Sequence, residues 1–178
     1  MSSFNERIIG AAKLDVEIYE EVESDKSAMN QAMGVVILSS LAAGLGVIGQ
    51  VGTVGIFAGA LVALIGWFVW AYLTYVIGTK ILPEPQTKAD LGELLRTIGF
   101  SSSPGLIRVL GIIPGLSFLV YSVAGIWMLV AMVVAVRQAL DYQSTWRAIG
   151  VCIIGWIIQG VTVALFFSAC HFQIEDSG

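Results

Sequence analysis

The sequence has long stretches without a single charged residue. Residues 27–79, 109–136 and 148–174 contain no Asp, Glu, Lys or Arg, and only 12% of the 178 residues are charged. Soluble globular domains contain about 25% charged residues, and uncharged runs of this length cannot form a surface that water solvates. With 57% hydrophobic residues and a mean hydropathy of +0.85, this scarcity of charge excludes a soluble globular protein and predicts an integral membrane protein.

Residues that carry catalytic and metal chemistry are also scarce. The chain has one His and two Cys, fewer ligands than the four of a closed zinc site. Cys152 and Cys170 lie near opposite ends of one predicted span, about 27 Å apart along a helix, whereas a disulfide needs Cα atoms within about 7 Å. No acid occurs in the predicted membrane core to form a catalytic dyad or triad. We therefore expect no enzymatic activity, metal or cofactor.

The charge-free blocks can be divided into membrane spans. A transmembrane helix needs about 20 mainly apolar residues. The fold class predicted is all-α, a polytopic membrane protein with five transmembrane helices, with residues 1–26 as a cytoplasmic amphipathic acidic segment, 27–171 as the membrane domain and 172–178 as an external acidic tail. The five spans are roughly 30–48, 55–78, 103–119, 120–137 and 148–170, and a flexible loop at 49–53 separates the first two.

The loop cations all fall on one side of such a bundle. With five spans, the loops on the other side contain no Lys or Arg. Because cations in short loops resist translocation, we predict a cytoplasmic amino end and an external carboxyl end. The loop cations are Arg7, Lys13, Lys26, Lys80, Lys88, Arg96, Arg137 and Arg147.

The first 26 residues are polar, with seven acids and three bases. They lack the basic tip and apolar core of a cleavable signal peptide, so we expect the first span to act as its own targeting signal. Ala11, Leu14, Ile18 and Val22 are spaced as on one face of a single amphipathic helix. Helices that adsorb to anionic lipid are rich in Lys and Arg, and this one is acidic. We expect it to contact the protein's own cytoplasmic loops or a partner.

Serines and prolines interrupt the apolar pattern before the third span. We predict a short interfacial helix at 90–98, then a turn in which Ser102 or Ser103 caps the next helix. Pro104 would begin the third span, since proline is tolerated in the first turn. Pro114 would kink or end it near residues 110–115.

Arg108 is the only charged residue well inside a predicted span. Placing Arg at mid-bilayer costs about 2.5–3.5 kcal/mol on insertion scales. We expect its long side chain to reach back to the cytoplasmic headgroup layer and contact lipid phosphate. The alternative is an anion pathway through the membrane.

Small residues recur at four-residue spacing in two spans, at Gly55 and Gly59 and at Gly111 and Gly115. Such spacing lets neighbouring helix backbones approach closely. We predict that these glycines lie at helix contacts inside the bundle rather than at a dimer interface.

Three segments, in order along the chain, carry a family resemblance: LDVEIYEEVESDKSAMNQA, LRTIGFSSSPGLIRVLGIIPGL and IWMLVAMVVAVRQALDYQSTWRAIGV. From about Leu14 onward the chain resembles the bacterial branch of the Yip (Ypt-interacting-protein) domain family. The resemblance implies five membrane helices with a cytoplasmic amino end. Eukaryotic members are linked to Rab-type GTPases and carry an Asp-Leu-Tyr-Gly-Pro type motif. This sequence lacks that motif, so the resemblance does not support GTPase binding.

The sequence favours a non-enzymatic protein of the bacterial cytoplasmic (inner) membrane that acts as a scaffold or accessory subunit. Its expected partners are membrane lipids and other membrane proteins, with no nucleic acid. The absence of acids and bases from the membrane core, and small-residue faces suited to close packing, indicate this function. A small transporter or channel that uses the broken third span and Arg108 is the alternative.

The five-span topology predicts the reactivity of introduced cysteines. A cysteine at Gln86 is expected to be shielded from membrane-impermeant thiol reagents in intact cells, whereas a cysteine at Gln173 is expected to react. Labelling of both variants before and after membrane permeabilisation measures this difference. Labelling of position 86 from outside would contradict the topology.

Overall fold

The computed structural model describes the backbone of residues 2–175 and the side chains of residues 2–161. Within these residues the chain is helical and contains no strand. Three shorter elements join the α-helices: a 3₁₀ turn at Lys26–Ala28, a π turn at Ile77–Ile81 and a 3₁₀ segment at Ser103–Ile112. The α-helices are α1 Phe4–Ala12, α2 Val16–Ser24, α3 Met29–Gly46, α4 Ile48–Val76, α5 Leu91–Phe100, α6 Ser117–Ala139 and α7 Thr145–Glu175.

Three helices are long and apolar enough to cross a membrane, at Lys26–Gly46, Ile48–Ile81 and Ser117–Ala139. They correspond to the first, second and fourth predicted spans. In α7, Thr145–Val161 forms a shorter apolar stretch, so the five-span count stays a prediction. Cys170, His171 and the tail at 172–178 lie outside the residues whose side chains are described.

The amino-terminal segment is a helical hairpin, so the prediction of one amphipathic helix was wrong. Leu14 has a φ of +64°, which stops α1, and the Asp15 side chain accepts a hydrogen bond from the Glu17 N–H to start α2. The two helices, called the hairpin below, then fold against each other. Ala11 and Val22 are fully buried, as the periodicity predicted.

The expected flexible loop at 49–53 is also different in the structure. α3 ends at Gly46 and α4 begins at Ile48. The helical path is interrupted at Val47, which lies between the two helices with a φ of −128°, and at Gly52, whose φ of +65° is readily accessible to a residue without Cβ. The first two spans are therefore joined by a sharp helical junction rather than a loop.

The segment predicted to form the third span starts and ends earlier than expected. α5 and the 3₁₀ segment, together called the rod (residues 91–112), run alongside α3 in the same direction, since Gly99, Gly105 and Gly111 lie against successive positions of α3. Ten α-helical and ten 3₁₀ residues measure about 15 and 20 Å. Their sum of about 35 Å exceeds the roughly 30 Å of a hydrocarbon core.

The predicted interfacial helix at 90–98 is instead an internal helix. Every residue of α5 from Leu94 to Phe100 is buried, because α2, α3, α4 and α6 all pack around it. The Asp90 side chain accepts from the Glu93 N–H and the Glu93 carboxylate accepts from the Asp90 N–H, so a capping box fixes its start.

Serine hydroxyls support the change from α5 to the 3₁₀ segment. Pro104 lies in the first turn of the segment and has no N–H to donate to the Phe100 carbonyl, four residues back. The Ser103 hydroxyl donates to that carbonyl instead, at 2.7 Å. Ser102 occupies the N-cap position without a side-chain capping bond, so the predicted serine cap is absent.

Pro114 lies in the chain reversal between the 3₁₀ segment and α6. The segment ends at Ile112, within the range 110–115 in which a kink or an end was predicted, and residues 112–116 are exposed. Gly115 has a φ of +83°, which the reversal requires and glycine allows. Residues 117–119, assigned to the third span from the sequence, form the start of α6.

Two clusters of buried side chains stabilise the bundle. One lies where α4, α5, α6 and α7 meet and includes Trp70, Ile98 and Leu140. The other fixes the hairpin against α3, α5 and α6 through residues such as Tyr19 and Phe100. α5 contributes to both clusters, so it connects the hairpin to the membrane helices.

Gly46 gives a test of the contact between the rod and α3. A methyl group on Gly46 would overlap the backbone carbonyl oxygen of Arg108, so Gly46→Ala is expected to destabilise the protein by about 1–3 kcal/mol. Nothing described lies within 4 Å of a methyl at Gly49, and Gly49→Ala should be neutral or stabilising by up to about 1 kcal/mol. Thermal unfolding in detergent compares the two, and equal stability of both variants would contradict the packing.

Candidate functional site

Arg7 fastens the hairpin to the start of α3. Its side chain is 2% exposed and ion pairs with Glu21 and Asp25 at 2.7 Å each. It also donates to Gln31 Oε1 at 2.9 Å. Removing one partner of a buried ion pair typically costs about 3–5 kcal/mol because the other charge is left uncompensated. Arg7 therefore sets the position of both hairpin helices.

Arg96 fastens the other end of the hairpin to α5. Its Nε lies 3.0 Å from the carbonyl oxygens of both Val22 and Glu23, and its Nη2 also donates to the Glu23 carbonyl. The side chain is 4% exposed. The guanidinium thus neutralises the carboxyl end of α2, where cations are stabilising because of the helix dipole. The sequence analysis used Arg7 and Arg96 only as cations outside the spans, to predict the orientation, and missed these roles.

The carboxylates around Arg7 are held in their charged form. Hydrogen bonds from Ser2 and Arg7 lower the pKa of Glu21 to about 2, and those from Ser27 and Arg7 lower the pKa of Asp25 to about 2. Because these pKa values are lower than in the unfolded chain, the groups stabilise the fold above about pH 4. That stabilisation is lost as the pH falls from about 4 towards 2.

The pKa of Glu23 is shifted in the opposite direction. Burial, together with repulsion from Asp141, Glu93 and Glu20, raises the pKa of Glu23 to about 7, although Arg96 acts in the other direction. A carboxyl whose pKa is higher in the folded state binds protons preferentially there, so stability falls as the pH rises between the unfolded and folded values. The hairpin attachment at α2 should therefore weaken from about pH 4.5 to about pH 7.

The Arg108 side chain contacts residues of α6. Its Nη2 lies 2.9 Å from Sδ of Met128, which is at the midpoint of α6 (Ser117–Ala139). Its Cζ lies 5.9 Å from the centroid of the Tyr121 ring, and the Tyr121 hydroxyl donates to the Ala43 carbonyl. The half-buried guanidinium therefore lies between α3 and α6, and its contact with a headgroup layer stays a prediction.

Arg108 lines a cavity of about 580 Å³ between α3, α4, the rod, α6 and α7. Arg108 is the only charged residue among the described residues that line it. Three of the five tryptophans of the chain also contribute, at positions 67, 70 and 156. The polar lining residues besides Arg108 and Tyr121 include Ser39, Ser40, Ser102 and Gln159.

The four glycines predicted at helix contacts divide into different roles. A methyl at Gly111 would lie 2.8 Å from the Tyr121 ring and 3.2 Å from the Gly46 carbonyl oxygen, so Gly111 does lie at a helix contact. A methyl group added at Gly59 or Gly115 would meet no described atom within 4 Å, and one added at Gly55 would meet only Val51 of its own helix. Gly55 and Gly59 line the cavity instead.

A three-residue repeat is the sequence signal that could have revealed the Arg108 position. In a 3₁₀ helix, side chains at i and i+3 are eclipsed. Gly105, Arg108 and Gly111 are spaced by three, so the Arg108 side chain points to the same side as the two glycines that contact α3 and α6. The helical period of 3.6 applied from the sequence does not show this alignment.

The described residues contain no group of three or more His, Cys, Asp or Glu that could hold a metal ion. Their long apolar helices define a helical membrane protein. Residues 22–167 match the family model of the Yip1 domain, and the chain belongs to the Yip1 domain family. No curated protein and no solved structure matches the chain.

The pH dependence of the hairpin attachment can be measured through Glu23. Glu23→Gln removes the carboxyl whose ionisation weakens the attachment, so this variant should protect the hairpin amides from hydrogen exchange better than wild type at about pH 8. At about pH 5, where Glu23 is protonated, the two proteins should differ little. The exposed Glu17→Gln serves as a control, and the same effect from both variants would contradict the assignment.

Proposed function

We propose that this protein is a non-enzymatic scaffold or accessory subunit that organises other membrane proteins through its hairpin. The observation that carries the proposal is that the hairpin is fixed to the bundle by two buried arginines while its outer surface is acidic. The proposal places the protein in the bacterial cytoplasmic membrane with five spans, a cytoplasmic amino end and an external carboxyl end. GTPase and nucleic-acid binding form no part of it.

The charges of the hairpin are distributed unevenly between inside and outside. The positive charge of Arg7 is used internally, whereas Glu6, Asp15, Glu17 and Glu20 are exposed. Ile9 and Val16 lie among these acids and are 54% and 42% exposed. A surface of this kind repels anionic lipid and complements a basic protein surface with an apolar centre. We infer that the partner is a membrane protein with a basic cytoplasmic segment.

The depth of the hairpin supports contact with protein on this side of the bundle. The indole N–H of Trp127 donates to the Ala12 carbonyl at 2.7 Å, so the end of α1 lies near the middle of α6. The exposed charges of Lys13 and Asp15 follow directly. Charged side chains are expensive to place against hydrocarbon, so this side needs water or another protein rather than lipid.

A transporter or channel is the second candidate. The position of Arg108 in the lining of the cavity supports this candidate. Interrupted helices form the binding sites of several transporter folds, and the rod is interrupted at residues 101–102. Solute flux into reconstituted vesicles that Arg108→Ala abolishes would favour this candidate over the scaffold.

Photo-crosslinking from the hairpin tests the scaffold. A benzophenone amino acid at Ile9 or Val16 is expected to form a crosslink to one defined membrane protein, identified by mass spectrometry. Glu17→Lys in the same chain should reduce the yield several-fold because it removes charge complementarity, whereas Lys88→Glu on the loop before α5 should not. The same probe at Val54, 81% exposed on α4, should label lipid. A lone monomer on gentle solubilisation, with no crosslinked protein from either hairpin position, would contradict the proposal.

A further inference from the structure

The Arg108 guanidinium has donors that the protein does not satisfy. Arg108 Nε is buried and has no hydrogen-bond partner among the described residues. The hydrogen bond of Nη2 goes to the Met128 thioether, which is a weak acceptor. A buried donor without a partner carries a desolvation cost that a bound acceptor can remove. The Arg108 donors therefore lack strong hydrogen-bond acceptors among the described residues.

The chemistry of the cavity selects a negatively charged ligand. Arg108 supplies the one positive charge of the described lining, and no acid in that lining compensates it. Guanidinium groups bind carboxylate and phosphate through parallel hydrogen bonds. The Ser39 hydroxyl lies close to Met128 Sδ, since both would contact a methyl group on Gly105. Ser39 therefore adds a hydroxyl donor to the lining near Met128.

The remaining lining is suited to an apolar chain. Along α4 the positions that face the cavity are mainly small residues, followed by Trp67 and Trp70, and Trp156 lies on α7. The volume of about 580 Å³ is within the range of about 300–1,000 Å³ typical of ligand sites and much larger than a bare phosphate requires. Exposed lining residues such as Val51 and Trp156 give the cavity access from the side of the bundle.

We propose that this cavity binds an anionic lipid, with the oxyanion of the headgroup against Arg108 and an acyl chain along the small-residue face of α4. The chemistry that Arg108 recognises, a phosphate or carboxylate, is shared with free oxyanions, and the apolar lining favours the lipid. The site is independent of the hairpin surface described above, so either can be absent without affecting the other.

The cavity tryptophans report binding directly. Purified protein is reconstituted in phosphatidylcholine vesicles that contain a small fraction of phosphatidylglycerol, with bromine on the acyl chains of one lipid or the other. Bromine quenches nearby tryptophan. Both lipids carry a phosphodiester, but phosphatidylcholine adds a cationic choline that Arg108 repels, so wild type is expected to bind brominated phosphatidylglycerol about tenfold more tightly than brominated phosphatidylcholine. Arg108→Gln should abolish this preference, and the exposed Lys88→Gln should retain it.

A second variant separates loss of binding from loss of folding. Gly59 has open space around it, so Gly59→Leu should fill part of the cavity, keep Arg108 in place and weaken phosphatidylglycerol binding several-fold while the helical circular dichroism is unchanged. Equal quenching by both lipids in wild type, together with stabilisation by inorganic phosphate that depends on Arg108, would overturn the lipid assignment in favour of a free oxyanion. Absence of any Arg108-dependent effect would overturn the site.

Discussion

The close contact between the rod and α3 is the constraint on which the rest of the structure depends. Gly99, Gly105 and Gly111 of the rod face Ala32, Ser39 and Gly46 of α3. From Ser39 to Gly46 seven α-helical residues advance about 10.5 Å, and from Gly105 to Gly111 six 3₁₀ residues advance about 12 Å, so these small residues stay opposite one another. The 3₁₀ conformation makes this match possible, and its period of three also turns Arg108 inward.

Hydropathy correctly predicted the long helices whose side chains are mostly apolar. The spans at 30–48 and 120–137 correspond within a few residues to α3 and α6, because both the core and the bilayer reward apolar side chains. The position of α5 was predicted wrongly, since an apolar helix face has the same sequence pattern whether it lies on a membrane or inside a protein. Its complete burial depends on helices distant in sequence, which local periodicity cannot report.

The positions of the cations predicted the orientation in the membrane but not the contacts of the buried arginines. Arg7 and Arg96 belong to the predicted cytoplasmic side, and their burial leaves Lys13, Lys26, Lys80, Lys88, Arg137 and Arg147 to support the same orientation. Their acceptors could not be found from the sequence. Arg7 meets carboxylates on α2 and in the turn after it, but Arg96 meets backbone carbonyls more than 70 positions away, and a carbonyl has no sequence signal. The Arg108 environment was missed because the 3₁₀ geometry was not foreseen.

Two buried arginines and the half-buried Arg108 have different hydrogen-bond acceptors. Arg7 has two carboxylates and an amide as acceptors, and Arg96 has the carbonyls at the end of α2. Both are structural, since their donors meet strong acceptors within the protein. Arg108 has a thioether and the face of a ring, and the space beside it is a cavity rather than a packed core. An arginine serving only to hold helices together would gain more from carbonyl or carboxylate partners. The weak acceptors around Arg108 are therefore the basis on which the lipid site is proposed.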